Sequence, residues 1–264
     1  MSSGELVRLG VSLSPRHRRI LEHVAAYRVS LRSVMESTLF GGRGMRKDLA
    51  ALCAAGLLCS RRQLSGSRSY YQLSHRGAQA LGLSSYWARP MGMQSLVTNL
   101  GLLWFCCMGE YPRRRLTAAS YTAFFQGERP AGHHCVEKRG EEYRLYRVFI
   151  PMPGTPRRSI IASVKSAIEA ALDDPARESL VRERRFVFAV LVSHADRKRS
   201  LFDSLRRTEL DTEGVPLLAR VKCSVELVPD FFSGTANTRR PRNVRMEEET
   251  IASQHDAGDD EVAR

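Results

Sequence analysis

Gly41-Gly42-Arg43-Gly44-Met45-Arg46-Lys47-Asp48-Leu49-Ala50-Ala51-Leu52-Cys53-Ala54-Ala55-Gly56 decides how the first third of this chain folds. The paired glycines break the chain, a helix is expected from about Arg43 to Ala55, and Gly56 is a natural left-handed stop. Met45, Leu49, Leu52 and Cys53 share the face expected to point inward, while Arg43, Arg46 and Lys47 gather at the N-terminal end. Upstream, Ser14-Pro15 offers an N-cap and a proline at the first helical position, and Ile20, Leu21, Val24 and Tyr27 follow at helical spacing. Leu31, Val34, Met35, Thr38 and Leu39 repeat that stripe in a second helix. Downstream, Leu57–Gln63 and Ser69–Leu73 are strand-like runs joined by Ser65-Gly66-Ser67-Arg68, and Ser74 caps a last helix over His75–Leu81, ended by Gly82.

Three helices, a hairpin and a fourth helix in that order make a winged helix-turn-helix, whose third helix enters the major groove of DNA. Each helix is too short to be stable alone, so they must pack on one another and on the hairpin. What remains outside is basic: Arg43, Arg46 and Lys47 on helix three, where they would contact the major groove, and Arg61, Arg62 and Arg68 on the wing, where they would hold the flanking backbone.

The charge distribution agrees. The net charge is +13; residues 1–82 carry +9, Glu247–Arg264 carries −6, and the stretch between carries +10. Such a body suits a long polyanion, and no basic amphipathic helix with aromatic anchors speaks for a membrane surface. Met1–Gly10 contains Glu5 and Arg8 and does not read as a secretory signal. The most apolar stretch, Leu96–Met108, is too short to span a bilayer and reads as a buried helix. Six cysteines, two of them adjacent (Cys106, Cys107), suggest reduced thiols and a cytoplasmic protein.

The expected division is a winged helix over 1–82, a helical bridging segment over 83–132, an α/β domain over 133–232 and a disordered tail over 233–264. The bridging segment holds the buried helix, a basic turn (Pro112-Arg113-Arg114-Arg115) and a short helix capped by Thr117, running to Phe125. Its apolar excess favours burial, between domains or in a dimer interface. His133–Lys138 and Tyr143–Ile150 then flank Arg139-Gly140-Glu141 as a hairpin, and Thr155-Pro156 opens a helix to about Leu172. The apolar run Arg185–Ser193 predicts a strand covered on both faces, His194–Arg207 a basic helix, and Val221–Val228 a last strand. The fold class is therefore α+β or α/β.

Leu52-Cys53-Ala54-Ala55-Gly56-Leu57-Leu58, Tyr70-Tyr71-Gln72-Leu73-Ser74 and Arg76-Gly77-Ala78-Gln79-Ala80-Leu81-Gly82 resemble the plasmid replication-relaxation proteins. That resemblance implies a winged helix ahead of a domain similar to the PD-(D/E)XK nucleases. Metal-dependent phosphodiester cleavage needs converging carboxylates and a lysine. The two expected acidic positions read Phe149-Ile150-Pro151 and Phe188-Ala189-Val190-Leu191, with no oxygen ligand. Glu137-Lys138 and Glu141-Glu142 lie at a hairpin turn and are expected to be solvated, and Asp173-Asp174 to end a helix. Only a carboxylate migrated from a helix, such as Glu169 or Asp196, would restore a site.

Further constellations are weak. In His133-His134-Cys135 only the outer two share a strand face, no partner motif accompanies them, and partly exposed histidines are the simpler reading. Gly41-Gly42-Arg43-Gly44 lacks the Lys-Ser/Thr of a phosphate loop, and Ser193-His194 with Asp196 has no nucleophile elbow around it. Arg197-Lys198-Arg199 and Arg206-Arg207 suit either phosphate contacts or a solvated helix face.

The sequence thus points to a non-enzymatic regulator of replication or transcription on a plasmid or mobile element. It would bind double-stranded DNA, use no cofactor or metal, and meet a second copy or a partner protein through the α/β domain. The alternatives are a Mg²⁺-dependent nuclease with dispersed carboxylates and a docking subunit of a larger DNA-associated complex.

Overall fold

The computed structural model describes residues 13–125, 130–210 and 215–232. The expected disordered tail at 233–264, the stretch Met1–Gly10 that does not read as a signal, and residues 126–129 of the expected bridging segment lie outside these residues.

Helix α1 (Pro15–Tyr27) starts as anticipated, with the Ser14 hydroxyl accepting from the His17 amide. Leu31, assigned above to the second helix, instead lies in a two-residue strand β1 (Ser30–Leu31), and α2 is Arg32–Phe40. The cause is pairing: Ser30 and Leu31 lie opposite Tyr71 and Tyr70, so the backbone there is extended before it coils. Gly41 and Gly42 both take positive φ, of 60° and 85°. Helix α3 (Arg46–Ala54) begins three residues later than anticipated, leaving Arg43 in the preceding turn. Strands β2 (Leu58–Arg61) and β3 (Tyr70–Leu73) form the hairpin, in a three-stranded antiparallel sheet of order β1-β3-β2, and α4 (His75–Ala80) follows. Ile20, Leu21, Val24, Met35, Met45, Leu49, Leu52, Leu57 and Leu73 share one core, so the three helices and the hairpin are mutually packed.

Helix α5 (Met93–Cys107) is the buried helix anticipated from its composition. Pro112–Arg115 is not a turn: Arg113–Arg115 form strand β4, ahead of α6 (Ala118–Phe125). Strands β5 (His133–Arg139) and β6 (Glu142–Phe149), helices α7 (Arg157–Leu172) and α8 (Pro175–Arg182), strand β7 (Phe186–Val192), helices α9 (Ala195–Arg206) and α10 (Leu217–Arg220), and strand β8 (Lys222–Leu227) complete the described chain. The second sheet has order β4-β5-β6-β7-β8, antiparallel through β6 and parallel from β6 to β8. The architecture is mixed α+β with two sheets.

All seven residues of β7 are buried, and their alternation serves two cores. Phe186, Phe188, Val190 and Val192 face α7, α8 and α9, while Val187, Ala189 and Leu191 face α5. The α5 side also contains Tyr27, Val29, Leu31, Val34, Leu64 and Tyr70, so one apolar cluster runs from the three-stranded sheet through α5 to the five-stranded sheet.

Two polar positions depart from expectation. His134 is fully buried rather than partly exposed, with its ring edge-on to Tyr121 at 5.3 Å. Glu137, expected to be solvated, is also fully buried. Its carboxylate accepts from Arg113 Nε at 2.8 Å, from the Tyr146 hydroxyl at 2.9 Å and from Arg139. Arg113 also meets Glu226 at 3.0 Å and lies 4.0 Å above the Phe105 ring. The hairpin is longer than anticipated, with Glu137 paired to Arg144 inside it, two residues before its turn.

Candidate nucleic-acid interface

Helix α3 is held in place from three directions. Arg16 on α1 donates to Asp48 at 3.0 Å and stacks over Phe40 at 3.9 Å. Met45, completely buried, pins the helix start to the core. No side chain of α3 caps its own N-terminus; Glu36 Oε1 on α2 accepts from the Met45 amide at 3.1 Å instead. An acceptor delivered from another helix does the work of an N-cap residue.

The result is a helix whose free face carries Arg46, Lys47, Ala50, Ala51 and Ala54, all exposed, with Arg43 exposed just before it. Small side chains flanked by cations at one end allow the helix backbone to come close to a polyanion. Arg61 is exposed at the end of β2, an edge strand of the three-stranded sheet, and Arg62 is exposed just after it. None of these five cations has a carboxylate within salt-bridge distance among the described residues.

Arg68 is placed differently. Its guanidinium donates to the Ser65 carbonyl and hydroxyl, both at 2.9 Å, and to the Asp230 carbonyl at 3.3 Å. The Ser65 amide donates to the Phe231 carbonyl at 2.9 Å, and Leu64 and Phe231 are buried in the same cluster. The hairpin tip is therefore docked on the chain leaving β8, and Arg68 secures that joint instead of facing outward with Arg61 and Arg62. Sequence reading could not see this, because the partner lies 162 residues away.

The second sheet brings no comparable set together. Phe188–Leu191 are buried apolar residues, and Phe149 and Ile150 are half-buried. Glu169 pairs with Lys165 on α7 and Asp196 with Arg199 on α9, both exposed on separate helices. Among the described residues no three His, Cys, Asp or Glu side chains group as a metal site. All six cysteines are free; Cys106 and Cys135 touch at 3.5 Å, and burial pushes the Cys107 and Cys223 thiols up to about 12. On α9, Arg197 donates to the Thr155 carbonyl at 2.7 Å, while Lys198, Arg199, Arg206 and Arg207 are exposed. No described helix is long and apolar enough to cross a membrane.

Comparison of the chain with protein-family models, with curated proteins and with solved structures gives no match.

Proposed function

We propose that residues 14–82 are a winged helix that binds double-stranded DNA, with α3 as recognition helix and the β2 edge as a phosphate contact. The observation that carries this reading is the set of five exposed cations, Arg43, Arg46, Lys47, Arg61 and Arg62, at a helix start and at the end of an adjoining edge strand, with no carboxylate partner among the described residues. A phosphate backbone supplies the missing countercharge, and release of its condensed counterions supplies the driving force. The protein acts as a regulator, with no chemistry on the nucleic acid. The resemblance of residues 52–58, 70–74 and 76–82 to replication-relaxation proteins supports a role on a plasmid or mobile element, in replication or transcription.

The test is a fluorescence titration of the full chain on a labelled duplex at several salt concentrations. The logarithm of the binding constant should fall linearly with the logarithm of salt, by about 0.9 per phosphate neutralised. Salt-independent binding, or none, removes the reading. Incubation of the same protein with supercoiled DNA and Mg²⁺ or Mn²⁺ should leave the DNA intact. Cleavage abolished by EDTA and by Glu169→Ala or Asp196→Ala would replace the regulator by a nuclease.

A further inference from the structure

Among the described residues, Arg43, Arg46, Lys47, Arg61 and Arg62 have no carboxylate within salt-bridge distance. Arg16, Arg32, Arg113, Arg139, Arg177 and Arg182 all have acidic partners within 4 Å. Seven of the 28 acidic residues stand within Glu247–Arg264, opposed there only by Arg264. A strong local excess of negative charge and an exposed positive face with no carboxylate among the described residues therefore belong to one molecule.

The fold also fixes where the chain sets out toward that segment. Phe231 accepts from the Ser65 amide at the hairpin tip, Asp230 accepts from Arg68, and Trp104 holds the Phe231 ring edge-on at 6.2 Å. Phe232, the last described residue, thus lies beside the hairpin tip, the end at which β2 closes on Arg61 and passes to Arg62. Glu247 is fifteen residues further on. Fully extended, that stretch spans up to about 50 Å, while a unit of this size is only about 30 Å across.

We propose that the acidic segment Glu247–Arg264 docks on the cationic face made by the start of α3 and the β2 edge, and that nucleic acid must displace it. The displacement rests on the DNA-binding reading; the docking does not. A tethered segment acts at an effective concentration in the millimolar range, so a contact too weak for a free peptide still occupies the face. Salt screens both the docking and its competitor. Arg239, Arg240, Arg242 and Arg245 lie on the way and offset part of the −6, leaving a net negative remainder for the face.

Lys47 makes the docking measurable without DNA, because a carbodiimide joins carboxylates to lysine amines at contact distance. The chain has only five lysines, and Lys47 is the one on the proposed face, against Lys138, Lys165, Lys198 and Lys222 elsewhere. Cross-linking of dilute full-length protein, followed by mass spectrometry, should join Lys47 to carboxylates of 247–261 within one chain. The yield should exceed that at the other four lysines and fall on Arg61→Gln/Arg62→Gln. Links spread evenly over the five lysines, or none at Lys47, overturn the docking.

A second arm uses the full chain with Glu247, Glu248, Glu249 and Glu261 changed to Gln and Asp256, Asp259 and Asp260 changed to Asn. It should bind a labelled duplex about tenfold more tightly than the parent at 50 mM salt, with the gap closing as salt rises. Equal affinity of the two chains at every salt concentration overturns the competition. Lys47 cross-links without duplex binding by either chain would keep the docking and remove the DNA reading.

Discussion

Glu137 accepts from three donors and has no contact with solvent, so its charge is stable only while those donors stay in place. Burial alone would raise its carboxyl pKa, but the hydrogen bonds from Arg139, Arg113 and Tyr146 outweigh that and hold it below the ordinary value. Its folded pKa is lower than its unfolded one, so the stabilisation is complete above about pH 4.5 and is lost as pH falls through the folded value. Glu137→Gln should cost about 3 kcal/mol in urea unfolding at pH 7, since it leaves Arg113 buried with only Glu226 opposing it. A cost below 1 kcal/mol would mean that Glu226 suffices. His23 works in the same sense on a higher window, its folded pKa also lying below the unfolded one. It hydrogen-bonds Ser30 at 3.0 Å, and burial lowers its pKa to about 4. The unfolded chain therefore binds the extra proton first, and stability should fall between about pH 6.5 and pH 4, by on the order of 2–3 kcal/mol. His23→Gln should flatten that limb; an unchanged profile assigns it to another group.

At the scale of elements, the DNA-binding proposal gives α3 and the hairpin separable duties. Arg46 and Lys47 stand in the first turn of the proposed recognition helix, where side chains reach base edges. Replacing a base-reading arginine there should cost about 1–3 kcal/mol and relax preference at one position of the selected sequence. Arg61→Ala/Arg62→Ala should instead weaken all duplexes alike and reduce the salt slope by up to about 2. If the two pairs of substitutions are interchangeable in a selection experiment, this division of labour is wrong. The helix-and-hairpin order was legible in the sequence because local signals carry it: Ser14 and Ser74 both make their cap bonds, and Gly56 takes positive φ. The exposure of Arg46, Lys47 and Arg61 was legible for the same reason, since they lie on short amphipathic elements whose buried side is plain. What stayed hidden is non-local. The cap of α3 comes from Glu36, Arg68 is turned inward by Asp230, and Arg113 reads as a loop cation until β4 pairs with β5. Gly77 belongs with these, since helical position alone gives no reason for it. A Cβ there would stand 2.0 Å from the Leu57 carbonyl oxygen, so α4 and the start of the hairpin touch through backbone. Gly77→Ala should therefore destabilise the protein by several kcal/mol despite its better helix propensity, and a thermal midpoint unchanged or raised would refute the contact.

Over the whole molecule, α5 determines whether the two sheets fold independently. Leu96, Leu100, Leu102, Leu103 and Phe105 are all at most 2% exposed, and their cluster contains both Val34, Leu64 and Tyr70 of the first sheet's surroundings and Val148, Val187 and Leu191 of the second. Unfolding either part alone would strip one flank of α5 and expose several large apolar side chains, at about 1.5–3 kcal/mol each. That exceeds what a short hairpin or a pair of small helices gains by local freedom, so the chain should unfold as one cooperative unit. Its two tryptophans report on the two sides: Trp87 packs against the three-helix core, and Trp104 against the α5 cluster. The single-tryptophan variants Trp87→Phe and Trp104→Phe should show coincident urea midpoints. Leu100→Ala, which opens a cavity in the shared cluster, should cost about 2–5 kcal/mol and move both signals together. If the Trp87 signal keeps its midpoint while the Trp104 signal shifts, the proposed DNA-binding unit is stable without its bridge. The hairpin tip could then leave Phe231 without unfolding the rest. If both shift, the tip, the chain leaving β8 and α5 are one structure, and any ligand that grips the hairpin acts on the second sheet through a continuous apolar core.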